Sequence, residues 1–281
     1  MARKQKRGEC SGRRSINLTM LNQAEGELAI RQMIEAIGVQ AGDTLLVHSA
    51  FRVLSQQGLR AEWLIEEILA SLGSNGTLLM PAMSWRVVTQ NSQLFDVQTT
   101  AGNVGALAET FRKNYAQFRS VHPTHSVAGC GPDIRKVLDG HHKLTTPCPM
   151  SSGFGQVLSR KGKILLLGVG LECCTSIHCA EEALFPEIYL DTIELAETYS
   201  CIDWSGQIHT VRVQRHRKLP RDFQKFESLL RAIGKLRSGR ILSVNWICIE
   251  AESLLNLIMD ILQHEPLATL ASSHELDLKP H

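Results

Sequence analysis

The chain has 281 residues, and its 30 basic and 28 acidic side chains leave a formal net charge of +2. Hydrophobic residues make up 43% of the sequence, which is typical of a folded protein and argues against a disordered chain. No apolar run has the length of a membrane-spanning helix and no secretory signal is visible, so we expect a globular cytoplasmic protein without a membrane partner.

The net charge averages segments of opposite sign. Residues 1–14 hold six Lys or Arg and one Glu, and residues 212–240 hold ten Lys or Arg and two acidic residues. The remainder carries 14 basic and 25 acidic side chains, which is a net charge of −11. The chain is therefore an acidic body with two basic segments.

Patterning divides the chain into a basic N-terminal extension (1–28), one folded domain (29–272) and a C-terminal tail (273–281). In chain order, hydrophobic periodicity and Gly/Pro boundaries predict a helix at 30–37, a strand at 44–47, a helix at 63–70, a strand at 77–80, a helix at 103–113, a strand at 163–169, a helix from 175 or 176, a hairpin of 199–204 with 208–213, and helices at 223–233 and 251–262. This order predicts the α/β class, as a single domain with a mixed central β-sheet flanked by helices.

The segment 168–182 holds the most informative side chains. A buried strand leads through a short loop into a helix that starts at Thr175 or Ser176, and functional groups of open α/β sheets gather at such strand ends. His178 and Glu181 are three residues apart on this helix and can touch. A helical wheel puts Glu181 at the edge of the apolar face and Glu182 towards solvent. We therefore expect Glu181 to orient His178, and Glu182 to be a solvated charge.

A neutral imidazole held by a carboxylate is suited to act as a general base near pH 7. The alternative is that His178 only caps or packs at the start of the helix, and the pattern alone leaves both interpretations open. Cys179 points away from His178 and Glu181 on the wheel, so we do not expect it to be a thiol nucleophile.

Two further histidines flank a proline. Pro123, between His122 and His125, predicts an extended loop, and these histidines are candidates for metal ligands, substrate contacts or plain surface residues. Together with the cysteines at 173, 174 and 179 they raise the question of zinc. No CxxC pair or HExxH motif is present, so we expect no metal. GxGxxG, P-loop and GxSxG motifs are also absent, which argues against dinucleotide-binding, nucleoside-triphosphatase and α/β-hydrolase functions.

The order of short motifs resembles the aminoglycoside 3-N-acetyltransferase family, which is distinct from the GNAT acetyltransferases. The resemblance runs from about residue 30 to 270. It rests on GDTLLVHS at 42–49, GTLLMP at 76–81, FD at 95–96, TT at 99–100, GALAE at 105–109, RSVHPTHS at 119–126, LLGVG at 166–170, TSIHCAE at 175–181, RDF at 221–223 and GRI at 239–241.

The resemblance implies acetyl-CoA as donor and a small-molecule amine as acceptor, namely the 3-amino group of the 2-deoxystreptamine ring of an aminoglycoside antibiotic, whose acetylation confers resistance. It implies catalytic roles for Thr175, His178 and Glu181 in a direct transfer, with His178 as the base. Thr175 or backbone N–H groups at the helix start would stabilise the oxyanion. The acidic body can supply carboxylates for the cationic acceptor.

The resemblance also implies cofactor contacts from His48, Ser49 and Ala50, with weaker candidates at Thr99, Thr100 and Ser126. His122 and His125 become candidate substrate-binding residues. The sequence departs from the family in the first of these loops, where Ala50 and Phe51 replace a second small hydroxyl residue and 52–58 replaces a glycine-rich continuation.

Two alternatives remain. One is an acyltransferase of the same fold that acts on another amine or a thiol metabolite. The other is a non-catalytic protein that binds nucleic acid through its basic segments, although no RRM, KH or helix-turn-helix pattern supports it. The segment 212–240 is interpreted first as a solvated surface, second as a contact to the coenzyme A phosphates and third as a nucleic-acid surface. A homodimer is left open.

Overall fold

A computed structural model describes residues 21–271, so most of the predicted N-terminal extension and all of the C-terminal tail lie outside the described residues. Within these described residues, ten strands form two sheets. They are β1 (Thr44–Ser49), β2 (Thr77–Pro81), β3 (Leu94–Asp96), β4 (Phe118–Arg119), β5 (Val127–Cys130), β6 (Lys163–Leu167), β7 (Glu197–Ile202), β8 (Ile208–Val213), β9 (Leu236–Ile241) and β10 (Val244–Glu250).

Helices cover both faces of the larger sheet. They are α1 (Gln23–Ile37), α2 (Arg52–Gln56), α3 (Ala61–Leu72), α4 (Ala106–Asn114), α5 (Ile134–Leu138), α6 (Gly153–Ser159), α7 (Ile177–Leu184), α8 (Pro186–Tyr189), α9 (Phe226–Ala232) and α10 (Ala251–His264). Between residues 21 and 271, none of them has both the length and the apolar character that a bilayer crossing needs.

The larger sheet has the strand order β4-β5-β2-β1-β6-β10-β9. Strand β1 runs parallel to β2 and to β6, and the outer strand pairs are antiparallel. The smaller sheet joins β3 to the hairpin of β7 and β8. The predicted mixed central sheet with flanking helices is therefore confirmed, as is the hairpin.

Alternation along the central strands builds two apolar cores. On β1, Leu46 faces a core that includes α6, α7 and α10, whereas Leu45 and Val47 face the core that includes α1, α3 and α4. Because side chains alternate along a strand, each central strand contributes to both cores. Helix α7 lies on the first face and packs against α10.

Several boundaries differ from the sequence-based predictions. Helix α1 begins at Gln23, inside the predicted extension, because Asn22 and Glu25 form a reciprocal capping box. The predicted helix at 223–233 is shorter, since α9 spans Phe226–Ala232. Strands β3, β4, β5, β9 and β10 were not predicted. Strands β3, β4 and β5 have only two to four residues, and β9 is interrupted by charged residues, so these four lack a clear apolar run.

The parallel pairing of β1 with β6 brings two loops together. Ser49 lies beside Leu167 in the register, and the N–H of Ala50 donates to the carbonyl of Leu167 at 2.9 Å. The chain turns after β6 at Gly168, whose φ is +70°. A Cβ there would lie 3.1 Å from the carbonyl oxygen of Ala50. Glycine at 168 therefore allows the loop after β1 to approach the loop before α7.

We expect Gly168→Ala to destabilise the protein more than Gly206→Ala. Both glycines have a left-handed φ, but a Cβ at Gly206 would meet nothing within 4 Å. The Gly206 change therefore measures the conformational cost alone, about 1 kcal/mol. Gly168→Ala should add about 1 kcal/mol from the contact with Ala50. Urea unfolding measures both, and equal losses would contradict the close approach.

Candidate active site

His178 and Glu181 form a hydrogen-bonded pair on α7. Nδ1 of His178 lies 2.6 Å from Oε2 of Glu181, and the glutamate side chain has no exposed surface while the histidine side chain is 20% exposed. The predicted i,i+3 contact is thus present in the structure. It leaves Nε2 of His178 as the ring nitrogen that makes no hydrogen bond within residues 21–271.

Arg221 shares the carboxylate of Glu181. Its Nη2 lies 3.4 Å from Oε2, and its Nη1 donates to the carbonyls of Arg217 and Leu219 at 2.6 and 2.9 Å. Burial alone would raise the pKa of Glu181, but His178 and then Arg221 lower it to about 2. The carboxylate is therefore ionised at neutral pH although it is buried, and it holds the hydrogen of the His178 imidazole on Nδ1.

The start of α7 offers fewer free donors than expected. The N–H groups of the first three helical residues, 177–179, already donate to the carbonyls of residues 174–176. The predicted backbone oxyanion donors are therefore occupied. The hydroxyl of Ser176 is also used, because it donates to the carbonyl of Phe154 at 3.1 Å. Thr175 remains, with a half-buried side chain that faces a cavity.

We call this cavity, of about 260 Å³, the narrow cavity. His48 and Ser49 from the end of β1, Trp85, Asn103 and Thr175 are among the residues that line it. Nε2 of His48 and Nδ2 of Asn103 are buried and have no hydrogen-bond partner in the part of the chain that the structure describes. Burial lowers the pKa of His48 to about 4, so its ring is neutral. A mainly apolar cavity with two unpaired polar atoms is suited to a ligand with polar groups along an apolar chain.

The other predicted cofactor residues lie elsewhere. Ala50 is exposed, and its N–H is used in the contact with Leu167. Thr99 and Thr100 close a turn with Asp96. The N–H of Thr99 donates to Oδ1 of Asp96, and the hydroxyl of Thr100 accepts from the N–H of Asp96. Ser126 is fully buried, and its hydroxyl donates to the carbonyl of Ala82 and accepts from Arg119. The structure thus gives Ser126 a structural role, because it has no surface for a ligand.

The second opening is a cleft of about 980 Å³, which we call the open cleft. It is lined by Trp85, Thr89, Gln90, Asn91, His125, Asp191, Glu197, Arg215, His216 and Lys218. Trp85 lines both openings. The predicted substrate residue His125 lies in this wall. His122 does not, because it is fully buried and its Nδ1 accepts from the N–H of His125 at 2.9 Å. His122 therefore shapes the loop and has no surface for a substrate.

The prediction that Glu182 is solvated is wrong. Its side chain is 3% exposed, and its Oε1 accepts from the N–H of Cys148 at 2.8 Å and lies 2.7 Å from Nε2 of His216. Burial raises the pKa of Glu182 to about 7. The wheel failed because it describes one helix, whereas the segments carrying Cys148 and His216 cover the outer face of α7.

Sequence reasoning missed His216 altogether. Its ring stacks on that of His178, with centroids 4.4 Å apart and planes inclined at 28°, and it meets His125 edge-on at 5.6 Å. Burial, and secondarily the neighbouring His178, hold the pKa of His216 well below its usual range. No motif surrounds His216 in the sequence, so only the three-dimensional contact reveals it.

Several basic side chains of the segment 212–240 form ion pairs with glutamates of the same chain. Arg215 bonds Glu197 at 2.6 Å, Arg221 contacts Glu181, Arg231 bonds Glu227 at 2.9 Å and Lys235 bonds Glu250 at 2.9 Å. The pair with Glu197 also neutralises one of the two carboxylates in the wall of the open cleft. The cleft is therefore less acidic than the net charge of the body implies.

Among residues 21–271, one group of side chains could hold a metal ion. Donor atoms of Cys148, Glu182 and His216 lie within 4.8 Å of one another, and sulfur, oxygen and nitrogen donors of this kind bind zinc. In the structure two of them are joined by a hydrogen bond. The expectation that the site uses no metal stays a prediction.

This fold is shared with known aminoglycoside acetyltransferases. The crystal structure of a mutant of aminoglycoside acetyltransferase AAC(3)-IVa in complex with a gentamicin superposes with a TM-score of 0.74 at 25% identity, covering 87% of this chain and 91% of that one. The binary complex of AAC-IIIb with CoASH has a TM-score of 0.68 at 19% identity, covering 85% and 96% of the two chains. The fold and site thus define an α/β protein of the antibiotic acetyltransferase class.

The sequence identifies the family. The profile described as aminoglycoside 3-N-acetyltransferase matches residues 46–263, so the chain belongs to this family. Aminoglycoside N(3)-acetyltransferase IV of Salmonella sp is 35% identical over 147 residues, a match that covers 52% of this chain and 54% of the relative. The match thus spans about half the length of that relative. The family resemblance in the sequence is confirmed.

We expect Glu182 to make stability fall as the pH rises. The folded protein holds this proton up to about pH 7, whereas the ordinary pKa is 4.5. Between these values the folded state binds more protons than the unfolded state, so the free energy of unfolding decreases with pH. The free energy of unfolding of Glu182→Gln, measured relative to that of the wild type, should therefore increase by roughly 1–3 kcal/mol as the pH rises from about 5 to about 8. Urea unfolding at both pH values measures it.

Glu227→Gln is the matched control, because Glu227 is a partly exposed glutamate in an i,i+4 pair with Arg231. It should keep the pH dependence of the wild type. Parallel stability curves for Glu182→Gln and the wild type would show that Glu182 is ionised in the folded protein across this range.

Proposed function

We propose that the protein transfers the acetyl group of acetyl-CoA to the 3-amino group of the 2-deoxystreptamine ring of aminoglycosides and thereby confers resistance. The observation that carries this proposal is the position of the buried Glu181–His178 pair. The ring of His178 stacks on that of His216, which lies in the wall of the open cleft. The backbone N–H of His178 donates to the carbonyl of Thr175, a residue that lines the narrow cavity. A base between two openings is suited to join two substrates.

We assign acetyl-CoA to the narrow cavity. The pantetheine arm carries amide groups along an apolar chain, which matches the apolar lining and the unpaired His48 Nε2 and Asn103 Nδ2. Arg86 lies in the same wall and is exposed, so it is our candidate for a contact to the coenzyme phosphates. A protein of the same fold forms a binary complex with CoASH, which supports coenzyme A as the carrier of the acetyl group.

We assign the acceptor to the open cleft. Asp191 lines it and is the carboxylate that remains for an ammonium group once Glu197 is paired with Arg215. The relative bound to a gentamicin supports an aminoglycoside. The near balance of acidic and basic residues in the cleft favours a second candidate, in which the same reaction uses an amine with fewer positive charges.

The proposed step is a direct transfer. Nε2 of His178 takes a proton from the acceptor amine while the amine nitrogen forms a bond to the thioester carbon. The carbon–sulfur bond then breaks, and the sulfur leaves as the thiol with the proton from His178. Ionised Glu181 stabilises the imidazolium that forms in between, and the hydroxyl of Thr175 is the proposed donor to the oxyanion.

Replacing the proposed base tests the function directly. His178→Ala should lower kcat for release of free coenzyme A thiol by about 1000-fold or more, because proton transfer and its orientation are lost together. Coenzyme A should still bind, since His178 is not in the wall of the narrow cavity. Thiol release with a panel of aminoglycosides and simple amines measures kcat, and calorimetry measures coenzyme binding.

His209→Ala is the matched control, because His209 also pairs with a carboxylate, Asp203, but on the β7–β8 hairpin. It should keep the wild-type rate. Near-normal turnover in His178→Ala would refute the mechanism. Turnover with simple amines but no aminoglycoside would favour the second candidate, and RNA binding without thiol release would favour a non-catalytic protein.

Removal of metal ions should not change the reaction, because every proton and charge in the proposed step is handled by a side chain. We expect the same rate of thiol release before and after dialysis against EDTA. A rate that falls with EDTA and returns with Zn²⁺ would show that the Cys148, Glu182 and His216 group works as a metal centre.

A further inference from the structure

Cys148, Glu182 and His216 come from three separate segments and meet at the outer face of α7. Cys148 lies before α6, Glu182 is on α7 itself and His216 follows β8. One donor atom of each lies within 4.8 Å of the other two, and these atoms are a thiol sulfur, a carboxylate oxygen and an imidazole nitrogen. The transfer step described above uses none of them. The group is therefore a cluster of metal-ligand side chains without an assigned role.

The cluster is buried, and its hydrogen bonds are incomplete. Cys148 has no exposed surface, and the side chains of Glu182 and His216 are 3% and 13% exposed. Oε1 of Glu182 is occupied by the N–H of Cys148 and the ring of His216. Its second oxygen, Oε2, is buried and has no hydrogen-bond partner among residues 21–271. A buried polar atom without a partner is unfavourable, so Oε2 is available to a ligand that enters the cluster.

The donor set matches Zn²⁺. Thiolate sulfur, imidazole nitrogen and carboxylate oxygen are the ligands that zinc takes from proteins, whereas Mg²⁺ and Ca²⁺ require oxygen. Metal–ligand distances of about 2.0–2.3 Å place the ligand atoms of a tetrahedral ion about 3.3–3.7 Å apart. Donor atoms that already lie within 4.8 Å of one another reach this spacing with side-chain shifts of about 1 Å.

We propose that Cys148, Glu182 and His216 bind Zn²⁺, and that the ion cross-links the segments before α6 and after β8 to α7. This site does not depend on acetyl transfer. A tetrahedral ion takes a fourth ligand, and because His216 lines the open cleft, water can supply it. The ion would thus stabilise the wall of the open cleft from behind.

Zinc binding exchanges protons for the ion. Burial raises the pKa of Cys148 well above its usual range and that of Glu182 to about 7, so both groups hold a proton in the metal-free protein at slightly acidic pH. Each loses this proton to solvent when it binds zinc, and the hydrogen of the His216 ring then lies on the nitrogen that does not bind the ion. The two anionic ligands balance the charge of the ion. The net charge beside His178 is therefore unchanged, which agrees with a transfer rate that does not depend on metal.

Titration of the full chain with Zn²⁺, in competition with a colorimetric chelator, measures the affinity. We expect one ion to bind with a Kd below about 1 µM. Cys148→Ser and Glu182→Gln each remove one ligand and should weaken binding by about 100-fold or more. Cys174→Ser and Glu227→Gln are the matched controls, because Cys174 is a buried cysteine of the same core and Glu227 is a glutamate on α9. Both should keep the wild-type affinity.

Substitution of Co²⁺ for Zn²⁺ identifies the sulfur ligand. A sulfur-to-cobalt charge-transfer band should be present in the wild type and in Cys174→Ser but absent from Cys148→Ser. Urea unfolding of each variant in EDTA shows whether it is folded. Zn²⁺ should then raise the unfolding midpoint of the wild type more than that of Cys148→Ser, because an ion that binds the folded chain stabilises it.

Three results would each overturn the assignment. They are a wild-type Kd for Zn²⁺ well above about 1 µM, a cobalt spectrum without the sulfur band, and equal affinities of the wild type and a folded Cys148→Ser. The last result would show that zinc binds elsewhere on the chain.

Discussion

The buried charge of Glu181 is the constraint on which the site depends. An ionised carboxylate without solvent is strongly unfavourable unless it is paired and hydrogen-bonded. Here one partner, His178, comes from the same helix, and the other, Arg221, comes from the segment before α9. Arg221 is in turn held by two backbone carbonyls and lies over the ring of Tyr189. One charge thus ties α7 to the C-terminal part of the chain and orients the imidazole.

The features that the sequence predicts well are local. The contact of His178 with Glu181 follows from the pitch of one helix, and β6 and the β7–β8 hairpin follow from apolar runs and a turn. The mixed sheet follows from the order of these elements. In each case the residues that decide the outcome are neighbours along the chain, so a pattern in the sequence carries the information.

The features that the sequence could not predict depend on distant contacts. Glu182 looks solvated until Cys148 and His216 cover it, and Ser126 looks like a loop hydroxyl until Arg119 and Ala82 enclose it. Strand β9 carries charged residues within its run, and its pairing with β10 compensates for the weak apolar pattern. Residues that lie in one cavity but far apart in sequence, such as His48 and Thr175, meet only through the parallel pairing of β1 with β6.

The shared position of Trp85 has a thermodynamic consequence. This exposed indole forms part of the wall of both the narrow cavity and the open cleft. A side chain that borders two ligands couples their binding free energies, and such coupling is reciprocal. Whatever factor one ligand imposes on the affinity for the other through Trp85, the second must impose on the first. With the donor in the narrow cavity and the acceptor in the open cleft, as proposed above, a substitution of Trp85 would change both binding free energies.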